Sequence, residues 1–340
     1  MTLRTAIVGF GRIAAGYADD PVMARTYRYV SHVQVLADHP AFACIAAVDP
    51  SSEARDLAAR RWNVPYTAAS VAEIPRAEDI EVAVIATPPA GRAAVLDALP
   101  SLKAVVVEKP LGANLDEAAR FLAACRARNI LVQVNLWRRA DATFRALAAG
   151  LLQRHVGTPQ AAAVVYGNGV ANNAIHLIDA VSMLLGRVVR VQAVAQPARR
   201  ATNPIAGDPD LSFVASTAGG ATVYFMPVDF GHYRENAIDI WGTQGRFEAL
   251  VEGLVMRATA RQPHRGDGHA SEIAADAPVT IASTVGEALW HLYDNLVEAL
   301  AGRAELFSPG ENALRAQSAV EAALRSAANA CRPVELDAAA

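Results

Sequence analysis

The sequence is poor in cysteine, in net charge and in long apolar runs. Its three cysteines (Cys44, Cys125 and Cys331) stand far apart with no Cys-x-x-Cys pair, which excludes a disulfide framework and favours a reducing cytoplasm. The 31 basic residues nearly balance the 34 acidic ones, so nucleic acid is not an expected partner. No run approaches the ~18 apolar residues of a membrane span, and the apolar start is too short for a signal peptide. No His, Asp and Glu residues have metal-ligand spacing. We therefore expect a cytoplasmic protein without nucleic acid, membrane or metal.

The length and composition indicate a globular protein. Hydrophobic residues make up 53% of the 340 residues and charged residues 19%, which excludes disorder over most of the chain. At roughly 150 residues per domain, the length favours two domains.

The first half alternates strand and helix patterns. Its strand-like runs are apolar throughout, as in parallel strands covered on both faces; they lie at 4–8, 42–48, 82–86, 104–107 and 131–134. Before the last run, Asn114 is a helix N-cap with Asp116 and Glu117 in the first turn, and Asn129 ends the helix. This alternation predicts right-handed βαβ units and a doubly wound parallel Rossmann sheet.

The second half has the pattern of an antiparallel sheet with helices. The mostly extended stretch 188–282 contains a hairpin at 218–220, and 259–277 is expected to be a loop. Helical periodicity lies on either side of this stretch, at 175–185 (closed by Gly186), 286–301 and 311–329. The chain is therefore α/β in both halves.

A glycine-rich turn follows the first strand. Gly9-Phe10-Gly11-Arg12-Ile13-Ala14 has the G-x-G-x-x-A pattern of dinucleotide-binding turns. Gly9 permits the tight turn, Gly11 lets the backbone approach a pyrophosphate, and the N-terminus of the following helix attracts phosphates. We expect Gly9, Gly11, Arg12 and Ile13 to bind the cofactor. The alternative is a glycine turn without a ligand.

An acidic residue, Asp49, ends the second strand. Its carboxylate can accept hydrogen bonds from the adenosine ribose and repels a 2′-phosphate, so NAD is favoured over NADP. Asp49 stands 38 residues after Gly11 instead of ~20, which requires an insertion near 17–30. NADP stays possible, because hydroxyl and guanidinium groups nearby could bind a phosphate: Ser51, Ser52, Arg55 and Arg12. Asp49 could also be only a turn residue.

With these features the chain resembles the Gfo/Idh/MocA family, the glucose–fructose oxidoreductase and inositol dehydrogenase group. The resemblance covers nearly the whole length and rests on Gly9-Phe-Gly-Arg-Ile13, Ala86-Thr-Pro-Pro89, Val107-Glu-Lys-Pro-Leu-Gly112, Asn173-Ala-Ile-His-Leu-Ile-Asp179, and Tyr233-Arg-Glu-Asn to Gly242-Thr-Gln-Gly-Arg246. It implies an N-terminal Rossmann domain, a C-terminal α/β domain with an open, mostly antiparallel sheet, and a homodimer or homotetramer formed through that sheet. Members mostly oxidise or reduce one carbon of a sugar, cyclitol or related polyol with NAD(H) or NADP(H).

The resemblance assigns roles to residues at the ends of the buried strands. Lys109 would be the catalytic base, because a hydride leaves a CHOH carbon only as the hydroxyl proton is taken up. Partial burial beside a cationic nicotinamide would lower the pKa of this lysine toward the working range. Thr87, Pro88 and Glu108 would line the nicotinamide side of the cofactor, with Asn135 at the end of the fifth strand. Without the resemblance, Lys109 would be an ordinary solvated lysine.

His176 matches the second catalytic position of the family. The ordinary histidine pKa of about 6.5 suits proton donation or acceptance; a half-buried structural histidine is the alternative. The family usually has an aspartate four residues earlier, where this chain has Asn172, and an amide cannot take up a proton. We therefore expect Asn172 to orient its neighbours by hydrogen bonding. The family's histidine shortly after Thr-Pro-Pro is also missing, with Arg92 near that place.

Substrate contacts are expected just after the fifth strand. Trp137 could stack on a sugar face, and Arg138 or Arg139 could hold a phosphate or carboxylate. A packed tryptophan with solvated arginines is an equal alternative. Tyr166 and Tyr233 are further candidates.

These observations leave three hypotheses about function. The first is an NAD(P)-dependent oxidoreductase acting on a secondary alcohol or ketone carbon of a sugar, cyclitol or sugar derivative. The second is an imine or conjugated-ring reductase of the same fold, which Asn172 favours and the retained Lys109 disfavours. The third is a non-catalytic dinucleotide-binding protein. We place the dinucleotide-binding domain at 1–135 and the domain for substrate binding and oligomerisation at 136–340.

Overall fold

The computed structural model describes residues 2–198, 203–274 and 276–336. Its contacts divide the chain into two compact units. The first unit contains Met1–Ala140 and Gly286–Leu314, and the second contains Asp141–Val285 and Arg315–Ala340.

The α-helices are numbered along the chain. They are α1 (His32–Asp38), α2 (Ser52–Trp62), α3 (Arg92–Ala98), α4 (Leu115–Ala127), α5 (Ala142–Ala146), α6 (Leu152–Val156), α7 (Ile175–Leu185), α8 (Ala288–Leu300) and α9 (Gly310–Ala328).

The first unit is built on a parallel sheet. Its strands are β1 (Leu3–Val8), β2 (Phe42–Val48), β3 (Tyr66–Ala68), β4 (Val82–Ile85), β5 (Ala104–Val107) and β6 (Leu131–Val134). Within the described residues the order is β3-β2-β1-β4-β5-β6, and every neighbouring pair is parallel. This confirms the doubly wound sheet. The strand β3 was not predicted, because three residues are too few to show a pattern.

The helix boundaries follow the predicted caps. The Asn114 side chain accepts a hydrogen bond from the Glu117 backbone N–H at 2.9 Å, at the start of α4. Gly186 ends α7 with a φ of +89°, a conformation that glycine adopts without strain. Both ends agree with the sequence analysis.

The segment Gly286–Leu314 returns to the first unit. Leu292, Tyr293 and Leu296 of α8 are fully buried in the same core as β4 and β5. Gln133 of β6, also fully buried, donates to the Leu292 carbonyl at 3.1 Å and accepts from the Ser308 backbone N–H at 3.1 Å. The division at residue 135 remains a prediction about functional domains. It does not include this return, because a helical pattern does not show which sheet the helix covers.

The second unit is built on a larger, mixed sheet. Its strands are β7 (Pro159–Tyr166), β8 (Val188–Ala193), β9 (Phe213–Thr217), β10 (Thr222–Pro227), β11 (Ala237–Gly242), β12 (Gly245–Leu250), β13 (Val255–Pro263), β14 (Ser271–Ile273), β15 (Val279–Ile281) and β16 (Val334–Glu335). Within the described residues the order is β14-β13-β12-β11-β7-β10-β9-β8-β16, with β15 beside β13. The pair β7–β10 is parallel and the others are antiparallel. This confirms the mostly antiparallel sheet and the hairpin at 218–220.

One expectation about this unit is wrong. The stretch 259–277 was expected to be a loop, but β13 continues to Pro263 and pairs with β14. The arginine, proline and histidine residues of this stretch lie on an edge hairpin, where polar side chains face solvent and main-chain pairing still forms.

Candidate functional site

The glycine turn lies at the carboxyl end of β1. Gly9 has a φ of +88°, and a Cβ placed on it would lie 2.9 Å from Thr87 Cγ2, so only glycine fits. For Gly11, no atom of the described residues lies within 4 Å of the Cβ position. The protein's own packing therefore does not require a glycine there, whereas a pyrophosphate lying against the backbone would.

The chain after the glycine turn does not continue as the expected helix. A single turn forms, with the Ala15 N–H donating to the Gly11 carbonyl at 2.9 Å. Two short 3₁₀ helices follow, at Gly16–Asp19 and Met23–Arg25, and α1 begins only at His32. These short helices lie in the segment where the long spacing to Asp49 predicts an insertion. They interrupt the helix, so the N-terminal dipole here is that of one turn only.

Arg12 and Ile13 lie within that turn. The Arg12 side chain is exposed, with its guanidinium carbon 4.9 Å from the centre of the Tyr17 ring. Ile13 is half-buried and its carbonyl accepts from the His32 N–H at 3.1 Å. Arg12 is thus the cationic group next to the weakened helix N-terminus.

Asp49 lies against the glycine turn. One carboxylate oxygen accepts from the Phe10 N–H at 2.7 Å, and the other accepts from the Ser51 N–H at 2.9 Å. A carboxylate oxygen has two lone pairs, so each can accept one more hydrogen bond, as a ribose diol would supply.

Glu108 lies in a buried network at the carboxyl end of β5. Its Oε1 is 3.0 Å from His32 Nε2 and accepts from Asn135 Nδ2 at 2.6 Å. His32 Nδ1 is 2.7 Å from the Tyr293 hydroxyl. Burial alone would raise the pKa of Glu108. The hydrogen bond and charge of His32, the charge of Lys109 and the Asn135 amide outweigh burial and lower this pKa. Glu108 is therefore a buried carboxylate that its neighbours keep ionised.

Lys109 follows this carboxylate directly. It is half-buried, and the peptide bond between Lys109 and Pro110 is cis. On the neighbouring loop after β4, Thr87 is half-buried and Pro88 is exposed. The predicted cofactor residues thus lie on consecutive loops at one edge of the sheet, where α/β proteins bind their ligands.

Asn135 carries an unsatisfied buried atom. Its Oδ1 has no hydrogen-bond partner among the described residues, although the residue is only 4% exposed. Buried polar atoms are normally paired. The amide group of a bound nicotinamide would supply the missing donor, so the residues at this edge fit a dinucleotide.

Trp137 and Arg138 lie in a short 3₁₀ helix after β6. Arg138 is buried, at 5% exposure, and its guanidinium carbon lies 4.1 Å from the centre of the Trp137 ring. The alternative of solvated arginines therefore does not describe Arg138.

In the second unit, Asn172 and His176 lie where two helical forms meet. Asn172 belongs to a π-helical segment, Val170–Ala174, and His176 lies in the first turn of α7. The Asn172 side chain donates to the Asn168 carbonyl at 3.2 Å, and both Asn172 and His176 are half-buried.

Two aspartates fix this π-helical segment. The Asp208 carboxylate accepts from the backbone N–H groups of Ala171 at 3.0 Å and Asn172 at 2.8 Å. Asp210 accepts from the Gly169 N–H at 2.8 Å. Burial raises the pKa of Asp208 and the neighbouring Asp210 charge adds to this, although the N–H donors oppose the shift.

Tyr166 is a core residue. It is fully buried, and its hydroxyl donates to the Leu211 carbonyl at 2.6 Å and accepts from the Leu211 N–H at 3.0 Å. This placement does not favour the predicted substrate contact. Tyr233, in contrast, is 63% exposed.

Several residues of these arrangements are not predicted from the sequence. His32, Tyr293, Asp208 and Asp210 lie far along the chain from the groups they contact, so no local motif marks them. No cluster of three potential metal ligands occurs in the described ranges. Among the helices that the structure describes, none is long and apolar enough to cross a bilayer.

The fold is that of a family of NAD-binding oxidoreductases. Residues 3–136 match the family described as "Oxidoreductase family, NAD-binding Rossmann fold", and residues 154–248 match the "GFO/IDH/MocA C-terminal domain". The chain belongs to the Gfo/Idh/MocA family, and the resemblance seen in the sequence is confirmed.

Similar proteins include two kinds of dehydrogenase. The chain is 31% identical to trans-1,2-dihydrobenzene-1,2-diol dehydrogenase of Sus scrofa over 173 residues, which are 51% of this chain and 48% of that enzyme. It is 24% identical to inositol 2-dehydrogenase of Burkholderia multivorans over 331 residues, which are 82% of this chain and 94% of that enzyme. The match to the pig enzyme thus spans about half of its length.

Solved structures share the whole fold. An Agrobacterium radiobacter oxidoreductase in complex with NAD⁺, L-tartaric acid and magnesium superposes with a TM-score of 0.71 at 19% identity, over 98% of both chains. The WlbA dehydrogenase of Chromobacterium violaceum with NADH and UDP-GlcNAcA gives a TM-score of 0.74 at 19% identity, over 99% of this chain and 96% of that one. At this identity the likeness shows the fold.

Proposed function

We propose that the protein transfers hydride between NAD(H) and a secondary alcohol or ketone carbon of a cyclitol, sugar or related diol. The observation that carries this proposal is the position of Lys109, directly after the buried Glu108 carboxylate and at the sheet edge that holds Gly9 and Asp49. A base at that edge can take up the hydroxyl proton as the hydride leaves.

The names of the relatives narrow the substrate class. Inositol and trans-1,2-dihydrobenzene-1,2-diol, which name the relatives' substrates, are both six-membered carbon rings with hydroxyl groups on adjacent carbons. We therefore rank ring-borne vicinal diols first. Sugar phosphates and nucleotide sugars come next, because the sequence leads us to expect that Arg138 holds a phosphate or carboxylate.

The cofactor is held by the residues of the first unit. The turn of Gly9, Gly11, Arg12 and Ile13 would hold the pyrophosphate, and Asp49 the adenosine ribose. The nicotinamide side would lie against a second group: Thr87, Pro88, Glu108, Lys109 and Asn135. Bound NAD supplies the hydride acceptor, and NADP is the alternative.

Proton handling belongs to Lys109 and His176. Lys109 would take the hydroxyl proton in oxidation and return it in reduction, and His176 would be the second residue able to donate or accept that proton. Asn172 orients its neighbours by hydrogen bonding, since its amide cannot carry a proton. Trp137 and Tyr233 would contact the substrate.

The test compares the two lysines on either side of β5. The chain has only Lys103 and Lys109, one at each end of β5, and Lys103 pairs with Glu81 at 2.8 Å. We would follow nicotinamide absorbance with inositols, cyclohexane-1,2-diols, aldoses, sugar phosphates and nucleotide sugars, using NAD and NADP in parallel. Lys109→Met should abolish turnover and keep cofactor binding, while Lys103→Met should keep both.

Other outcomes decide against the proposal. Turnover that survives Lys109→Met would favour the imine or conjugated-ring reductase. Cofactor binding without turnover across the panel would favour a non-catalytic protein, and a gain of activity in Asn172→Asp would then indicate an eroded dehydrogenase.

We also propose a cytoplasmic homodimer or homotetramer formed through the sheet of the second unit. The free cysteines Cys44, Cys125 and Cys331 support a reducing compartment. Tyr224 and Met226 of β10 are 50% and 42% exposed, as apolar side chains on an interface face would be in a single chain. Light scattering of the wild type and of Tyr224→Glu tests the assembly: a monomeric variant supports it, and a monomeric wild type contradicts it.

A further inference from the structure

Three prolines reduce the number of backbone donors in the loops after β4 and β5. The last main-chain hydrogen bond between these strands runs from the Glu108 N–H to the Ile85 carbonyl at 3.0 Å. Beyond it, Pro88, Pro89 and Pro110 have no N–H. The carbonyl groups of these loops therefore need donors from elsewhere.

Arg92 supplies those donors. It is the first residue of α3 and is 3% exposed. One terminal nitrogen donates to the Pro110 carbonyl at 2.7 Å and the Leu111 carbonyl at 3.0 Å, and the other donates to the Thr87 carbonyl at 2.8 Å. The planar guanidinium fork can serve both loops at once, which a lysine ammonium cannot do in the same geometry.

This cation stays charged although it is buried. Burial lowers the pKa of Arg92 to about 10, against the opposing charges of Glu108 and Glu117. At neutral pH the guanidinium is thus protonated and all its donors are present. A buried cation is costly unless it is paired; here the two terminal nitrogens are paired with carbonyl groups, and the buried Nε has no hydrogen-bond partner among the described residues.

We propose that Arg92 is a positioning residue that fixes Lys109 relative to the cofactor turn. The inference rests on the proposed function, in which Lys109 handles the proton. Pro110 and Leu111 follow Lys109 directly, and Thr87 packs against Gly9, whose Cβ position lies 2.9 Å from the Thr87 side chain. The Arg92 side chain therefore links the loop that carries Lys109 to Thr87, which packs against the glycine turn that would bind the pyrophosphate.

A matched control exists in the same unit. Arg128 also donates to three carbonyls, those of Leu96, Leu99 (2.8 Å) and Pro100 (3.1 Å). These carbonyls precede β5, at the amino end of the sheet. Arg128→Gln removes the same kind of contact as Arg92→Gln without touching the loops of Lys109.

The kinetic test separates positioning from stability. A displacement of about 1 Å in a reacting group can cost ~100-fold in rate, so kcat of Arg92→Gln should fall by about that factor while the KM for NAD changes far less. Arg92→Lys, which keeps the charge and some of the hydrogen bonds, should recover part of kcat. Arg128→Gln should lose stability but keep kcat. Equal losses of kcat in Arg92→Gln and Arg128→Gln, or no loss in Arg92→Gln, would overturn the proposal.

A second measurement does not depend on turnover. Reductive methylation with carbon-13 formaldehyde gives two lysine signals, because the chain has only Lys103 and Lys109. In Arg92→Gln the Lys109 signal should shift or broaden and the Lys103 signal should not; in Arg128→Gln the Lys109 signal should stay in place. An unchanged Lys109 signal in a folded Arg92→Gln protein would refute the role of Arg92.

Absence of wild-type turnover would instead count against the proposed function alone. Should Arg92→Gln fail to fold, the kinetics of Arg92→Lys decide: full wild-type kcat would overturn the proposal.

Discussion

The buried pair of His32 and Glu108 permits a quantitative prediction. His32→Phe keeps a ring of similar size in a fully buried position but removes the contacts at 3.0 Å to Glu108 and 2.7 Å to the Tyr293 hydroxyl. Removing the hydrogen-bond partner of a buried carboxylate costs about 3–5 kcal/mol, because it leaves an uncompensated charge. We expect the first unit to lose that much stability at pH 7.

Glu108→Gln in the His32→Phe background should recover part of the loss. The amide has no charge to desolvate, so the double variant should be more stable than the sum of the single changes predicts, with a coupling of about 1–3 kcal/mol. Asp294→Asn is the control. The Asp294 carboxylate lies 3.7 Å from His39, and the Asp294 side chain is 61% exposed although that of His39 is 5% exposed. Because solvent screens the Asp294 charge, its removal should cost only about 0–1 kcal/mol.

The pH dependence adds an independent check. The lowered pKa of Glu108 means that the folded wild type binds the proton less readily than the unfolded chain. Its contribution is therefore present above the ordinary glutamate value of about 4.3 and is lost as the pH falls through the lowered value. In His32→Phe, fewer groups oppose the effect of burial, so the pKa of Glu108 rises and Glu108 takes up a proton more readily. The difference in stability between this variant and the wild type should therefore narrow from pH 7 to pH 5. Urea-dependent hydrogen exchange of α1 and β5 amides measures both effects. Two outcomes would refute this account: stability changes of the two single variants that add up to that of the double variant, or a stability difference between His32→Phe and the wild type that widens at pH 5.

Three further predictions concern other parts of the chain. Gly9→Ala should destabilise the protein by about 1–3 kcal/mol, because the new Cβ strains a positive φ and contacts Thr87. Gly11→Ala should keep the wild-type melting temperature but lose NAD affinity in a calorimetric titration. Equal losses of stability in the two variants would contradict this prediction. Gln133→Leu should cost about 2–4 kcal/mol in chemical denaturation, because it leaves the Ser308 N–H and its neighbours unpaired in the core; a loss below ~0.5 kcal/mol, as for ordinary surface changes, would contradict it. Asp208, whose pKa is raised, stabilises the fold below the ordinary aspartate value of about 3.9, and this contribution disappears as the pH rises through the raised value. The melting temperature of Asp208→Asn relative to the wild type should therefore improve from pH 4.5 to pH 7, and a constant difference would show that Asp208 does not titrate in this way.

Much of the fold follows from local sequence patterns. Apart from β3, the strands of the first sheet are short apolar runs that end in glycine, proline or polar residues, so their bounds were predicted to within a residue or two. The helix caps at Asn114 and Gly186 also depend on neighbouring residues only. The same holds for Gly9, which the G-x-G-x-x-A pattern marks, whereas the role of Lys109 comes from the family resemblance.

The rest depends on contacts between distant parts of the chain. Nothing near Glu108 indicates that His32 and Tyr293 surround it, and nothing near Asn172 indicates that Asp208 holds its backbone. Tyr166 was a candidate for substrate contact, and nothing near it in the sequence indicates that its hydroxyl forms hydrogen bonds with the Leu211 backbone. The single helical turn after Gly11 was also not predictable, because the insertion was inferred only from spacing.

The return of Gly286–Leu314 to the first unit has a consequence for how such proteins can be recombined. The chain passes to the second unit after Ala140, comes back at Gly286 and leaves again after Leu314. A fragment ending at residue 135 would lack Leu292, Tyr293 and Leu296, and would expose the sheet surface that they cover. A chimera that exchanges the second unit between relatives must therefore have junctions at all three crossings and keep 286–314 from the Rossmann parent. A single-junction chimera would pair a sheet from one parent with a covering helix from the other.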